Sequence, residues 1–109
     1  MTTVYISGPM RGIPGLNWQA FAEAQVKLEN LGYNVINPAQ LDASVGFVPD
    51  NIWHAVEKRQ ALRDIKGVLD SDIIALLPNW HRSMGAKAEV AVARWTGKKV
   101  MPLSRIKKL

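Results

Sequence analysis

Cysteine is absent from the 109-residue chain. That excludes disulfides and thiol catalysis and fits a cytoplasmic setting. No apolar run approaches the roughly 18 residues of a membrane span, so no membrane partner is expected. The first residues pass straight into a strand pattern, so no signal peptide is expected either. There is no Gly-Lys-Ser/Thr and hence no P-loop. Gly8, Gly12 and Gly15 are separated by three and then two residues, which is not a dinucleotide fingerprint. The two histidines, His54 and His81, lack partners at metal-ligand spacing. Neither metal nor cofactor is implied.

What is present is an ordinary globular balance, 48% hydrophobic and 21% charged, in a chain long enough for one core and not two. The net charge of +5 suggests nucleic acid until its distribution is read. Residues 98–109 hold Lys98, Lys99, Arg105, Lys107, Lys108 and no acid, leaving nine basic and nine acidic residues in the rest. The surplus sits at one end rather than on a face, so nucleic-acid binding is disfavoured. We read 1–103 as one domain and 104–109 as a basic tail, solvated on the plainest reading.

Strand and helix patterns alternate along the chain. Thr3 to Ser7 is a β-branched and aromatic run stopped by Gly8-Pro9. Asn17 is placed to cap a helix to about Leu31, with Phe21, Ala24, Leu28 and Leu31 on one face and Gly32 as its stop. Tyr33 to Ile36 is a second strand, closed by Asn37-Pro38. Residues 38–50 read as a longer irregular connection able to fold over a ligand. Asp50 caps a helix from about Asn51 to Leu69, with Ala55, Leu62, Ile65 and Leu69 facing inward. Asp72 to Leu77 is a buried strand, Ala86 to Trp95 a helix ended by Gly97, and Lys98 to Leu103 a last strand. The alternation predicts an α/β fold: a minimal flavodoxin- or Rossmann-like sandwich of four parallel strands in order 2-1-3-4, with helices on both faces. So small a two-sided sheet with four tryptophans also predicts a homo-oligomer, dimer or larger.

Pro78 to Glu89 is a strand-to-helix turn at the carboxyl edge of that sheet, where open α/β folds place ligands. Ser83 is a natural N-cap, and the free N–H groups beyond it make an anion site. Gly85 and Glu89 are four apart and share a helix face, the glycine leaving room above the carboxylate. Tyr5, Gly8 and Arg11 reach the same crevice from the first strand. Asp64 lies in the helix leading into the third strand, on the flank of Ala61 and Val68. Trp80, beside Asn79, either stacks on a base or covers the sheet edge. Two carboxylates in different environments, a phenol, an arginine and a helix N-terminus are the equipment for breaking a glycosidic bond. Residue by residue the plainer readings stand beside this one: Tyr5 as a core residue, Asp64 as a paired surface charge, Asp72 as a cap on the third strand.

Five segments in order carry a family resemblance: Tyr5-Ile-Ser-Gly-Pro-Met-Arg-Gly12, Gly32-Tyr-Asn-Val-Ile-Asn-Pro38, Arg63-Asp64, Asp72 to Leu77, and Ser83-Met-Gly-Ala-Lys-Ala-Glu89. Together they resemble the nucleoside 2-deoxyribosyltransferase superfamily over residues 4 to about 101. The similarity is greatest to short phage-type members and to the deoxynucleoside 5′-monophosphate N-glycosidases. The resemblance implies Glu89 facing the anomeric carbon, Tyr5 orienting it, and Asp64 as the acid near the base. It implies a 5′-phosphate held by Arg11, Ser83 and backbone at Gly8 and Gly85. Pro9 stands where those hydrolases carry a phosphate-binding serine, which keeps open a module that binds a nucleotide without cleaving it. A small-molecule nucleoside or nucleotide is thus the expected partner, with Asn79 and Trp80 as further contacts.

Overall fold

The computed structural model describes residues 1–10, 12–43 and 53–109, with the backbone alone for 41–43 and 53–57. Its elements are β1 (Thr3–Ser7), α1 (Trp18–Asn30), β2 (Asn34–Ile36), α2 (Pro38–Ala43), α3 (Trp53–Asp70), β3 (Ile73–Leu76), α4 (Met84–Trp95) and β4 (Lys99–Pro102). The four strands form one parallel sheet in the expected order, β2-β1-β3-β4. The register sets Tyr5 beside Ile36 on one side and Ile74 on the other, and Ser7 beside Leu76.

Period-two alternation along β1 splits the core into two layers. Val4 and Ile6 join Phe21, Ala24 and Leu28 of α1 and Ala39 of α2. Tyr5 turns the other way, to Val68 of α3 and Val90 and Ala93 of α4. Both helical layers are therefore seated on β1 and β3. Phe21 and Leu28 are fully buried, each contributing about 1.5–3 kcal/mol of hydrophobic stabilisation.

Several local expectations need correction. Asn17 stands at the N-cap position of α1 but in the left-handed region (φ 60, ψ 22) with no capping bond. A capping side chain requires extended backbone; here Asn17 Nδ2 instead donates to the Pro9 carbonyl at 2.9 Å, tying the loop after β1 to α1. Residues 38–43 are helical rather than irregular. Asn37 Oδ1 accepts from the N–H groups of Ala39 and Gln40, and Pro38 follows at the first helical position, where its missing N–H costs nothing. The rest of that connection, with the expected Asp50 cap, lies outside the described residues, as does the side chain of Ala55. On α3, Leu62 is 75% exposed and Leu69 45% exposed. The helix is rotated so that Gly67 and Val68 face the sheet, because Gly67 alone allows the backbone to approach Tyr5.

The terminal segment is basic but docked. Ile106 is buried in the α1 layer, the Leu109 N–H donates to the Leu31 carbonyl at 2.9 Å, and the Tyr33 hydroxyl donates to the Lys107 carbonyl at 2.7 Å. A solvated tail does not describe it, although Arg105, Lys107 and Lys108 themselves point to water.

Candidate active site

The carboxyl ends of β1 and β3 are locked together. The Leu77 N–H donates to the Ser7 carbonyl at 2.9 Å, and a Cβ on Gly8 would stand 2.7 Å from that of Leu77. Gly8 is thus required for the close approach of the two strand ends, a scaffold role at the mouth of the crevice.

Across that edge runs α4. Ser83, in extended conformation, accepts from the Ala86 N–H at 3.1 Å and caps the helix as expected. The helix begins one turn above Glu89, which is buried at 8% exposure. Burying a carboxylate without partners is costly. Here the Tyr5 hydroxyl donates to Oε2, and the Ser7 hydroxyl donates to Oε1 at 2.9 Å. Tyr5 and Ser7 are fully buried and two apart on β1, so the pleat presents both hydroxyls on the face that α4 covers. Each carboxylate oxygen therefore meets at least one O–H donor, an arrangement suited to an acceptor-only group.

Burial pushes the Tyr5 phenol far above its ordinary ionisation range, reinforced by the charges of Glu89 and Asp64 and by the hydrogen bond to Glu89; Arg63 acts the other way. Tyr5 is accordingly a permanent donor. The same electrostatics bring Asp64 into the neighbourhood of Tyr5. Its side chain is 21% exposed, and Arg63 donates to its Oδ1 from Nη2 at 2.9 Å and from Nε at 3.1 Å.

Asp72 is at the opposite end of the sheet. Its Oδ2 accepts from the Thr3 N–H at 2.9 Å and its carbonyl from the Lys99 N–H. It ties the amino ends of three strands and has no place at the carboxyl edge; of these two aspartates, it is Asp64 whose charge acts on Tyr5, the hydrogen-bond donor to Glu89.

Gly85 is exposed, and a Cβ there would meet only the Ser83 hydroxyl, at 3.8 Å. Among the described residues nothing else stands within 4 Å of that position, the room that the Gly85–Glu89 spacing suggests. Trp80 packs against the Tyr5–Val68–Val90 layer, with His81 edge-on at 6.1 Å. It covers the sheet edge while remaining partly accessible. Asn79 is exposed in the left-handed region (φ 64), where asparagine is favoured among non-glycine residues, and it makes no capping bond. Arg11 lies outside the described residues. Among the described residues no group of three or more His, Asp or Glu is arranged to hold a metal ion, and no helix is long and apolar enough to cross a membrane. A groove of about 610 Å³ on α1, between Ala22, Val26 and Leu31, holds none of these residues.

Ser7 was not among the residues singled out by sequence. The signal was there: it shares a strand face with Tyr5. As the last residue of a strand stopped by Gly8-Pro9, however, it reads as a strand end and nothing more.

Fold and site together define a small parallel α/β domain with a buried, doubly donated carboxylate at the carboxyl edge of its central strands. The chain belongs to the family described as domain of unknown function DUF4406, whose family model matches residues 2–102. No curated protein and no solved structure matches it.

Proposed function

We propose that this protein cleaves the N-glycosidic bond of a (deoxy)nucleoside or its 5′-monophosphate, with Glu89 facing the anomeric carbon. The observation that carries this reading is the buried Glu89 carboxylate, fixed by Tyr5 and Ser7 beneath the open turn at Gly85. As the C1′–N bond breaks, its electron pair leaves with the base, which takes up a proton. Positive charge develops at C1′, and a preorganised carboxylate stabilises it, either as counter-charge or by bonding to it. Water then supplies hydroxide to C1′ and a proton to the site, giving free sugar. A second base in place of water makes the reaction a transfer. The capped N-terminus of α4 suits a 5′-phosphate.

A second reading, capture of a nucleotide without cleavage, is favoured by the Arg63–Asp64 pair. An acid that delivers a proton to the base must be neutral, whereas an ion pair is made with a charged carboxylate. A homodimer goes with either reading. Leu62 and Leu69, seven apart and exposed on α3, offer an apolar face for a second copy. A nucleotide substrate goes with a cytoplasmic setting.

The deciding experiment is chromatography of free base after incubation with the common deoxynucleosides and their monophosphates, beside Glu89→Ala. Base release that disappears in the variant supports the glycosidase. Release undiminished in Glu89→Ala overturns it, and stoichiometric binding of an unaltered nucleotide establishes the second reading.

A further inference from the structure

We infer that Ser7 is a positioning residue for Glu89, acting with Tyr5 as one of two prongs from a single strand that fix both oxygens of the carboxylate. The inference rests on Glu89 being the working carboxylate of the site, and it gives a role to a residue that lies within the Tyr5 to Gly12 segment but has none in the reading above.

The physical argument begins with what one donor leaves undone. A glutamate side chain turns about three bonds before its carboxylate, and a hydrogen bond to one oxygen still lets the group swing about that contact. A second donor on the other oxygen fixes the plane. Tyr5 reaches Oε2 from the middle of β1, and Ser7 reaches Oε1 at 2.9 Å from its end. The two differ in reach as well as position: the phenol spans from deep in the sheet, while the short serine stands directly at the edge. Their spacing of two puts both on the α3–α4 side, where the neighbouring strand offers only Ile74 and Leu76. In that aliphatic layer a fully buried hydroxyl has one described side-chain partner, Glu89. A structure needing only to fill the space would be served by alanine. Catalytic geometry tolerates displacements of only a fraction of an ångström, so a carboxylate held at both oxygens is ready for an incoming sugar without reorganising.

The test reads Glu89 directly, independently of any substrate. The carboxyl carbon of Glu89 is titrated by ¹³C NMR in the full-length protein and in Ser7→Ala, Ser7→Cys and Ser7→Thr. The charged groups acting on Tyr5 from α3, Asp64 and Arg63, are the same in every variant. Loss of a donor to a charged acceptor should move the Glu89 titration upward by about one pH unit in Ser7→Ala. Ser7→Cys, close in volume but a weak donor, should shift in the same direction, and it answers the question if the alanine variant does not fold. Ser7→Thr keeps the hydroxyl and should titrate near the wild type. With a cleaved substrate in hand, Ser7→Ala should lower kcat at least tenfold with KM within about twofold, since geometry rather than binding is lost. An unchanged Glu89 titration in both the alanine and cysteine variants overturns the inference. A shifted titration together with no base release by the wild type retains the Ser7 clamp and removes the glycosidase reading, so the two failures are distinguishable.

Discussion

Gly67 of α3 lies against the ring of Tyr5: a Cβ on the glycine would stand 3.0 Å from Cε2 and 3.1 Å from Cδ2. Ile36 Cγ2 would be 3.3 Å away. The ring has nowhere to go, since Tyr5 is fully buried and its hydroxyl is held by Glu89. In a helix interior, glycine to alanine ordinarily stabilises by up to about 1 kcal/mol. Here overpacking, at about 1–3 kcal/mol, should outweigh that gain. Gly67→Ala is therefore expected to lower the urea midpoint. It should also weaken any activity that depends on Glu89, because displacing the ring displaces the donor. A variant as stable as the wild type would show that α3 slides freely over β1.

The Tyr5 phenol makes stability fall at alkaline pH. In the unfolded chain it ionises near 10.0, while in the fold burial and the neighbouring carboxylates hold it protonated well above that. Above the unfolded value the unfolded state binds fewer protons than the native one, so stability declines as pH rises. The contribution is complete below about pH 10 and is lost at about 1.4 kcal/mol per pH unit above it. Urea unfolding at pH 9, 10 and 11 should show this decline in the wild type and a shallower one in Tyr5→Phe. At neutral pH Tyr5→Phe should also cost about 1–3 kcal/mol, by leaving Glu89 one donor short. Equal alkaline slopes in the two proteins would contradict the buried phenol.

The two aspartates that frame β3 should separate cleanly. Asp72 ties strands at the amino edge and Asp64 belongs to the neighbourhood of Tyr5 and Glu89. Asp72→Asn keeps an oxygen acceptor for the Thr3 N–H, so stability should change by less than about 1 kcal/mol and base release not at all. Asp64→Asn should reduce base release by about 10²-fold or more if Asp64 serves as the acid. Activity that survives Asp64→Asn would assign proton delivery elsewhere, most simply to water.

The legible parts of the fold are those where one physical signal dominates. β1 is bounded by its β-branched run and Gly8-Pro9, and the strand order follows from the alternation of strands and helices. The N-cap at Ser83 and the open position at Gly85 follow from spacing and chemistry alone. The phase of α3 was hidden because the residue that sets it, Gly67, has no side chain to join an apolar stripe. Leu62 and Leu69 supplied a competing stripe that faces outward. Asn37-Pro38 carries two meanings, strand stop and helix start, and the structure uses both. Ile106 and Leu109 are isolated apolar residues in a basic segment, too weak a pattern to announce a docked terminus. Of the site, Glu89 and Tyr5 were readable. The closing contact through Ser7 emerges only once β1 and α4 are set face to face.

Gly85 offers the sharpest separation of site from scaffold, because its substitution should act with the opposite sign to that of Gly67. Among the described residues a Cβ at Gly85 meets only the Ser83 hydroxyl, at ordinary contact distance, and the residue lies within α4. Alanine there should leave stability unchanged or raise it by up to about 1 kcal/mol, as a helical glycine is replaced by the best helix former. Leucine should fold as well, since among the described residues only the Ser83 hydroxyl stands within 4 Å of a Cβ there. On the proposed glycosidase reading, ligand binding should suffer in order of size, slightly for Gly85→Ala and severely for Gly85→Leu, because a sugar approaching Glu89 would stand there. Calorimetric titration with the nucleotide that the wild type binds, beside thermal unfolding of the same samples, checks both halves. A leucine variant that binds as tightly as the wild type would move the ligand away from α4 and leave Glu89 as a buried structural charge.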